Sequence, residues 1–281
     1  MRWRLLESGH ADAYTNMAVD EALQWAVAQH LAPPTLRLYG WKPPAVSLGY
    51  FQEVEGQVDR AEIARRGWGL VRRPTGGRAI LHHHEVTYGV VIAASSLEHG
   101  DSVMASYREI SRGLELGLRR LGLSAALGET LSDPAHRDSA RGLPAVCFAQ
   151  ASRCDLVAEG RKVVGAAQVR RDGVILQHGS VPLTLSLEDQ IAVMPGPRDR
   201  PESQERLAQA ARGIGELLGR PLSFAELGRA LVLGFAEAFN LDFETESLSS
   251  AEISKAADLR ETKYATEAWN LTSPRRTRAT R

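Results

Sequence analysis

Apolar and polar residues along the first hundred positions predict an alternation of helices and strands. Between residues 12 and 29, Met17, Val19 and Leu23 recur at mostly helical spacing, which predicts a helix that begins near Thr15. β-branched and aromatic residues then dominate short runs bounded by Pro and Gly, a pattern typical of strands. The predicted strands are 2–6, Thr35–Trp41, Ala45–Tyr50, Leu70–Arg73, Ala79–Leu81 and Glu85–Ile92. Of these, Thr35–Trp41 and Ala45–Tyr50 are expected to pair with each other, since only Lys42-Pro43-Pro44 separates them. Further helices are predicted at Val54–Arg66 and Ser102–Leu121.

The second half of the chain predicts three antiparallel strands followed by helices. Glu159-Gly160 and Arg171-Asp172-Gly173 are hairpin turn signals. They separate extended runs at 155–158, 161–170 and 174–182, so we expect a β-meander. A stretch rich in Gly, Ser, Asp and Pro, 128–144, predicts a long surface loop before it. Helices are predicted afterwards at 187–193, 204–218, 224–239 and 249–264.

Length and composition admit one α/β core or two closely packed lobes in 281 residues. The formal net charge is zero, which removes the global electrostatic argument for nucleic acid as the partner. No apolar run reaches the length of a signal peptide or a membrane-spanning helix, so we expect a cytoplasmic protein without a membrane partner. Cytosolic thiols stay reduced, and therefore the two cysteines do not predict a disulfide framework.

Two glycines among arginines form the most informative segment, Arg72–His82. Gly76 and Gly77 allow a tight turn and close approach to a ligand, while arginine donors match anions. A plain Gly-Gly hairpin with solvated arginines explains the same spacing. The segment lacks the G-x-x-x-x-G-K-[ST] pattern of a phosphate loop, so nucleotide binding gains no support.

Three consecutive histidines, His82, His83 and His84, raise the possibility of a metal site. Alternate residues of a strand face opposite sides, so at most two could converge on one ion without other ligands. Hydrogen bonding near the Gly-Gly turn or simple surface exposure are the alternatives, and they apply to His178 as well.

Cys147 follows the predicted loop, whereas Cys154 opens a strand of core-type residues. Position therefore favours Cys147 as the accessible thiol, although a lone cysteine is also a common small core residue. Reactivity requires a cation that favours the thiolate. Lys162 is the candidate, and an ordinary solvated lysine is the alternative.

Four segments together resemble the lipoate-protein ligase and octanoyltransferase family, which is related to the biotin ligases. The resemblance covers most of residues 1 to 245 and extends to Lys263-Tyr264 and Trp269-Asn270, which are similar to the end of an octanoyltransferase branch that uses a cysteine at position 147. The segments are Arg72–His82, Cys147-Phe148, Gly160-Arg161-Lys162-Val163-Val164-Gly165-Ala166-Ala167-Gln168 and Leu176-Gln177-His178-Gly179-Ser180.

This resemblance implies a mixed β-sheet covered by helices, of the α/β (α+β) class, with an apolar tunnel for a medium-length acyl chain. It implies one catalytic domain over residues 1–271, with covering helices from about 186, and a basic flexible tail at 272–281. Cys147 and Lys162 would be catalytic, with Lys162 contacting the acyl carbonyl, and no metal or cofactor is expected. The residues expected to bind substrate are Arg72, Arg73, Thr75, Gly76, Gly77, Arg78, His82, Gly165, Ala166, His178 and Gly179.

Two positions depart from the pattern of the ligases. Arg78 stands where ligases usually have a third glycine, which argues against a ligase. His83 stands where Asp usually follows the motif histidine, which leaves the polar role at that position open.

The resemblance implies transfer of octanoate from octanoyl acyl-carrier protein, through a Cys147 thioester, to a lysine of a lipoyl domain. The acceptor would be the glycine-cleavage H protein or a dehydrogenase E2 subunit. Three alternatives remain: a lipoate ligase that uses ATP and magnesium, an amidotransferase that takes octanoate from a lipoyl domain, and a noncatalytic module that binds an acyl carrier or lipoyl domain.

Overall fold

The computed structural model describes residues 2–128, 155–194 and 211–274. Several sequence predictions therefore fall outside the described residues. They are Cys147 and Cys154, all but the first residue of the predicted loop at 128–144, the first part of the predicted helix at 204–218, and positions 275–281 of the predicted tail.

A mixed sheet of eight strands organises the fold, in the order β11-β1-β2-β6-β10-β9-β8-β7. β1 pairs in parallel with β2 and β11, whereas all the other pairs are antiparallel. The meander predicted from the two turn signals is confirmed as β8, β9 and β10. The strands are β1 (Trp3–Ala11), β2 (Thr35–Trp41), β6 (Glu85–Ala93), β7 (Ala126–Leu127), β8 (Leu156–Ala158), β9 (Arg161–Arg171), β10 (Val174–Pro182) and β11 (Phe243–Thr245).

A second sheet contains β4 (Gly69–Arg72), β3 (Ala45–Leu48) and β5 (Ile80–His82). β3 pairs in parallel with β4 and antiparallel with β5. The expected pairing of the runs Thr35–Trp41 and Ala45–Tyr50 is wrong, because β2 and β3 lie in different sheets. Both strands are buried along their whole length, and burial alone does not select a pairing partner.

Helices cover both faces of the large sheet. Successive residues of β6 belong to different cores: Val90 packs with α3 and α6, and Val91 packs with α1 and α7. This follows from the alternation of side chains along a strand. The helices are α1 (Ala13–Ala28), α2 (Arg60–Arg65), α3 (Val103–Arg120), α4 (Leu187–Val193), α5 (Ile214–Leu217), α6 (Phe224–Phe239), α7 (Ser250–Leu259) and α8 (Glu267–Leu271).

Three predicted helices differ in extent from the observed ones, and in the described part of 204–218 only α5 is helical. The amphipathic run Val54–Arg66 is helical only in α2, because the Asp59 side chain accepts a hydrogen bond from the Glu62 amide and caps the helix there. The last predicted helix divides into α7 and a π-helical turn, Arg260–Tyr264. In the described ranges, no helix combines the length and apolar character needed to cross a membrane.

Candidate active site

A cavity opens between the two sheets and α1, and it gathers most of the residues that the sequence singled out. The empty space in this region is about 400 Å³, a value that includes space open to solvent. Seven predicted substrate-binding residues line it: Arg73, Gly77, His82, Gly165, Ala166, His178 and Gly179. Met17, Tyr39, Trp41, Ser47, Ile80, Thr87, Ala167 and Ser180 complete the wall.

His82 lies between a serine and a glutamate. Its Nε2 is 2.7 Å from Ser47 Oγ, and its Nδ1 is 2.8 Å from Glu85 Oε1. Arg73 Nη1 donates to Ser47 Oγ at 3.1 Å. Because the guanidinium can only donate, the serine proton is free to point to His82 Nε2, and the ring proton then lies on Nδ1.

His178, on β10, also lies between a hydroxyl and a carboxylate. Its Nε2 is 2.7 Å from Thr75 Oγ1, and its Nδ1 is 2.8 Å from Asp20 Oδ2. Burial lowers the pKa of His178, with Arg73 and His82 acting in the same direction, against the opposing effect of Asp20. At neutral pH the ring is therefore uncharged, with its proton on Nδ1 and the Thr75 hydroxyl donating to Nε2.

Asp20 is charged although it is fully buried. Burial by itself raises the pKa of this carboxyl, but Arg37 and His178 outweigh it and hold the pKa below its usual range. Arg37 Nη1 lies 2.7 Å from Asp20 Oδ1, and the Tyr39 hydroxyl donates to Oδ2 at 2.9 Å. The sequence analysis did not identify Asp20, since it occupies an ordinary helical position.

The wall of the cavity is rich in polar residues, yet these residues mainly satisfy one another. Thr87 and Ser180 both donate to Glu85, and Trp41 Nε1 donates to Thr87 Oγ1. The Trp41 ring stacks on His82 with 4.0 Å between centroids. Polar groups already engaged in hydrogen bonds leave ring faces and aliphatic carbons toward the cavity, which suits an apolar ligand.

The Gly-Gly turn is held by Arg73 and Gly49. Arg73 donates to the carbonyls of Ser47, Gly76 and Arg78, so its guanidinium organises the turn from inside. Gly77 has φ +96°, and a Cβ on Gly49 would lie 1.9 Å from the Gly77 carbonyl oxygen. Geometry therefore requires glycine at positions 49 and 77. The burial of Arg72 and Arg73 disagrees with the alternative of a hairpin whose arginines are solvated.

Arg72, Thr75, Gly76 and Arg78 do not line the cavity wall. Thr75 acts through His178, and the Arg78 side chain is exposed to solvent. The placement of Arg72 does not support direct substrate binding, because its fully buried guanidinium donates to five main-chain carbonyls. These carbonyls belong to Gly49, Tyr50, Gln52, Trp269 and Asn270.

Lys162 is buried, is not among the residues that line the cavity, and pairs with a residue that the sequence analysis missed. Its Nζ lies 2.9 Å from Asp155 Oδ2, and both side chains are at most 3% exposed. The other oxygen of the same carboxylate accepts a hydrogen bond from the Ala166 amide at 3.4 Å. Since Ala166 lines the cavity, Asp155 connects the ammonium group to the cavity wall. A lysine inside an apolar strand needs a buried counterion. This requirement was the one signal in the sequence that could have pointed to Asp155.

His83 and His84 do not join the cavity. Their rings stack on each other at 3.8 Å between centroids, and His83 Nδ1 is 3.6 Å from Asp189 Oδ2. Across the described residues, no group of three or more His, Cys, Asp or Glu side chains is arranged to hold a metal ion.

The chain belongs to the lipoyl protein ligase A/B catalytic domain family, whose model matches residues 12–236. Eight curated relatives that share 37 to 46% of their residues with it are each named octanoyltransferase LipM. The relative from Symbiobacterium thermophilum is 46% identical over 271 residues, which cover 96% of this chain and 98% of that protein.

Solved structures of lipoate-protein ligases share the fold of this chain. A lipoate-protein ligase A bound with ATP superposes with a TM-score of 0.79 at 28% identity, over 96% of this chain and 99% of that one. A bi-partite lipoate protein ligase from Thermoplasma acidophilum, described with its E2 lipoyl domain, gives 0.79 at 26% identity over 98% of each chain. The expected mixed α/β fold is therefore confirmed.

Proposed function

We propose that this chain transfers an octanoyl group from a carrier-bound thioester to a lysine of a lipoyl domain, through a thioester on Cys147. Octanoyl transfer in lipoate biosynthesis is the activity that the relatives named octanoyltransferase LipM support. They do not favour the ATP-dependent ligase.

The buried pair of Lys162 and Asp155 beside the cavity is the observation that carries the proposal. Asp155 links this ammonium to Ala166 of the cavity wall, and from there we infer that Lys162 donates to the carbonyl of an acyl chain that occupies the cavity. As the carbonyl oxygen gains negative charge during attack, a preorganised cation stabilises it far more than it stabilises the ground state. Asp155 keeps this cation in place.

The proposed reaction has two steps. In the first, the Cys147 thiolate forms a bond to the acyl carbon, the carbon–sulfur bond to the carrier breaks, and the carrier leaves as a thiol after taking a proton. In the second, the neutral amine of the acceptor lysine attacks the thioester carbon and forms an amide, the carbon–sulfur bond to Cys147 breaks, and Cys147 leaves as a thiolate. The nitrogen releases one proton to solvent, which balances the proton that the carrier thiol took up. The transfer needs no ATP, because a thioester is already activated.

The proposed partners follow from this chemistry and from the relatives. The donor is octanoyl acyl-carrier protein. The acceptor is a lipoyl domain, either the glycine-cleavage H protein or a dehydrogenase E2 subunit, and a lipoyl domain is the protein described with the T. acidophilum ligase. Cys147 lies outside the described residues, so support for its role comes from the resemblance and from its place in the chain before Asp155.

Three donors supplied separately test the proposal: octanoyl acyl-carrier protein, free octanoate with ATP, and an octanoylated lipoyl domain. We expect the carrier-bound donor alone to add one octanoyl group to the intact mass of the wild-type chain, and the Cys147→Ala variant to show no adduct. Transfer by Cys147→Ala from free octanoate and ATP would contradict the proposal and indicate a ligase. An adduct only from the octanoylated lipoyl domain would indicate an amidotransferase.

A further inference from the structure

The last described part of the chain, residues 260–274, forms a strap over the small sheet. It contains the π-helical turn and α8, and it lies beyond the residues that the family model matches. Trp269 and Asn270 of this strap contact Arg72, the final residue of β4. The sequence analysis singled out both residues, but the acyl-transfer mechanism assigns them no role.

Arg72 joins the strap to the segment 49–52. Its amide donates to Asn270 Oδ1 at 2.8 Å, and its carbonyl accepts from Trp269 Nε1 at 2.8 Å. Its guanidinium donates to the strap and to three carbonyls of the segment 49–52. The Ser273 hydroxyl adds a bond to the Phe51 carbonyl at 3.1 Å. The strap thus holds this segment at several points.

The segment 49–52 in turn supports the ligand turn. The Tyr50 amide donates to the Thr75 carbonyl at 2.8 Å. Gly49 approaches the Gly77 carbonyl so closely that even a methyl group would not fit. A shift of residues 49–52 is therefore transmitted to Thr75, which holds His178, and to Gly77, which lines the cavity.

We propose that Asn270 and Trp269 are positioning residues for acyl binding, which act through Arg72 and the segment 49–52 on the Gly-Gly turn. Asn270 also donates to the carbonyls of Tyr264 and Thr266, so its amide links the inside of the strap to Arg72. Asn270 is buried, and its removal leaves the Arg72 amide without its side-chain acceptor.

The chain offers a matched control at the other anchor of the strap. The Tyr264 hydroxyl donates to Glu21 on α1, a contact that does not involve Arg72. Tyr264→Phe removes this bond and keeps the ring. Asn270→Ala removes the bond from the Arg72 amide and the two bonds inside the strap, and keeps the main-chain carbonyl that accepts from the Arg72 guanidinium. Trp269→Phe is a milder variant that loses the indole donor to the Arg72 carbonyl and keeps an aromatic ring at the position.

Two measurements on the full chain test this proposal, and the kinetic one rests on the proposed octanoyl transfer. Hydrogen exchange at the Tyr50 and Arg72 amides should accelerate about tenfold in Asn270→Ala and less in Trp269→Phe. The KM for octanoyl carrier protein should rise about fivefold while kcat changes less than about twofold, since the change affects binding. Tyr264→Phe should leave both readouts at wild-type values.

The proposal is overturned if exchange at these amides stays at the wild-type rate in both strap variants, or if Tyr264→Phe changes exchange and KM as much as Asn270→Ala does. Failure of the wild-type chain to transfer octanoate would refute the proposed function only, because the exchange measurement requires no acyl donor.

Discussion

His82 and His178 face the same cavity, and each lies between a hydroxyl and a carboxylate, but the two carboxylates are compensated differently. Asp20, behind His178, forms a buried ion pair with Arg37. Glu85, behind His82, accepts hydrogen bonds from the hydroxyls of Thr87 and Ser180, and within the described part of the chain it has no lysine or arginine partner. Two histidines with the same kinds of partner therefore differ in what their carboxylates do for stability. Loss of the Asp20 charge leaves a buried arginine unpaired, whereas loss of the Glu85 charge does not.

The largest expected effect comes from Asp20→Asn. This change leaves the Arg37 guanidinium, whose side chain is 1% exposed, without its counterion. Loss of one partner of a buried pair costs about 3–5 kcal/mol of the free energy of unfolding. Urea denaturation checks this value. A loss no greater than that of Glu85→Gln would show that the ion pair does not distinguish the two sites.

A smaller effect is expected from Glu85→Gln, because the amide oxygen can still accept from one of the two hydroxyls and no arginine is left unpaired. Disturbed hydrogen bonds around a buried group cost about 1–3 kcal/mol. The same denaturation experiment measures it. Because Glu85 orients His82 at the cavity wall, the KM for the acyl donor should also rise, and an unchanged KM would argue against that orientation.

The smallest effect is the pH dependence of stability between pH 7 and 5.5. The pKa of His178 is lowered in the folded chain, so the unfolded chain takes up the proton first as the pH falls below about 6.5. The free energy of unfolding therefore decreases on acidification. His178→Gln should flatten this dependence without abolishing it, since the pKa of His83 is lowered as well. An unchanged slope in that variant would contradict the assignment.

The sequence predicted seven residues of the cavity wall through the resemblance to the ligase and octanoyltransferase family, rather than from the local hydrophobic pattern. It did not predict the partners of those residues. Ser47 lies 35 positions from His82, and Asp20 lies 158 positions from His178. Such contacts depend on strand order and register, and the wrong pairing of β2 with β3 shows that the local pattern does not supply them.

Arg72 shows that the local sequence can also suggest a binding role that the structure does not support. Its type and its place beside Arg73 predicted an anion-binding role for both residues. Adjacent strand residues point to opposite faces, and so one arginine organises the ligand turn while the other joins the strap to residues 49–52. The side chain of Arg72 meets the strap because β4 packs against α8.

The central claim is that the Lys162 ammonium, held by Asp155, acts on the acyl carbonyl. A single-turnover measurement of acylation by octanoyl carrier protein tests it most directly, with Arg161→Ala as the control for loss of a neighbouring cation on the same strand. We expect Lys162→Ala to slow acylation by about 10²–10³, the usual effect of removing one preorganised donor, and Arg161→Ala to remain near the wild-type rate. Acylation of Lys162→Ala at the wild-type rate would contradict the claim.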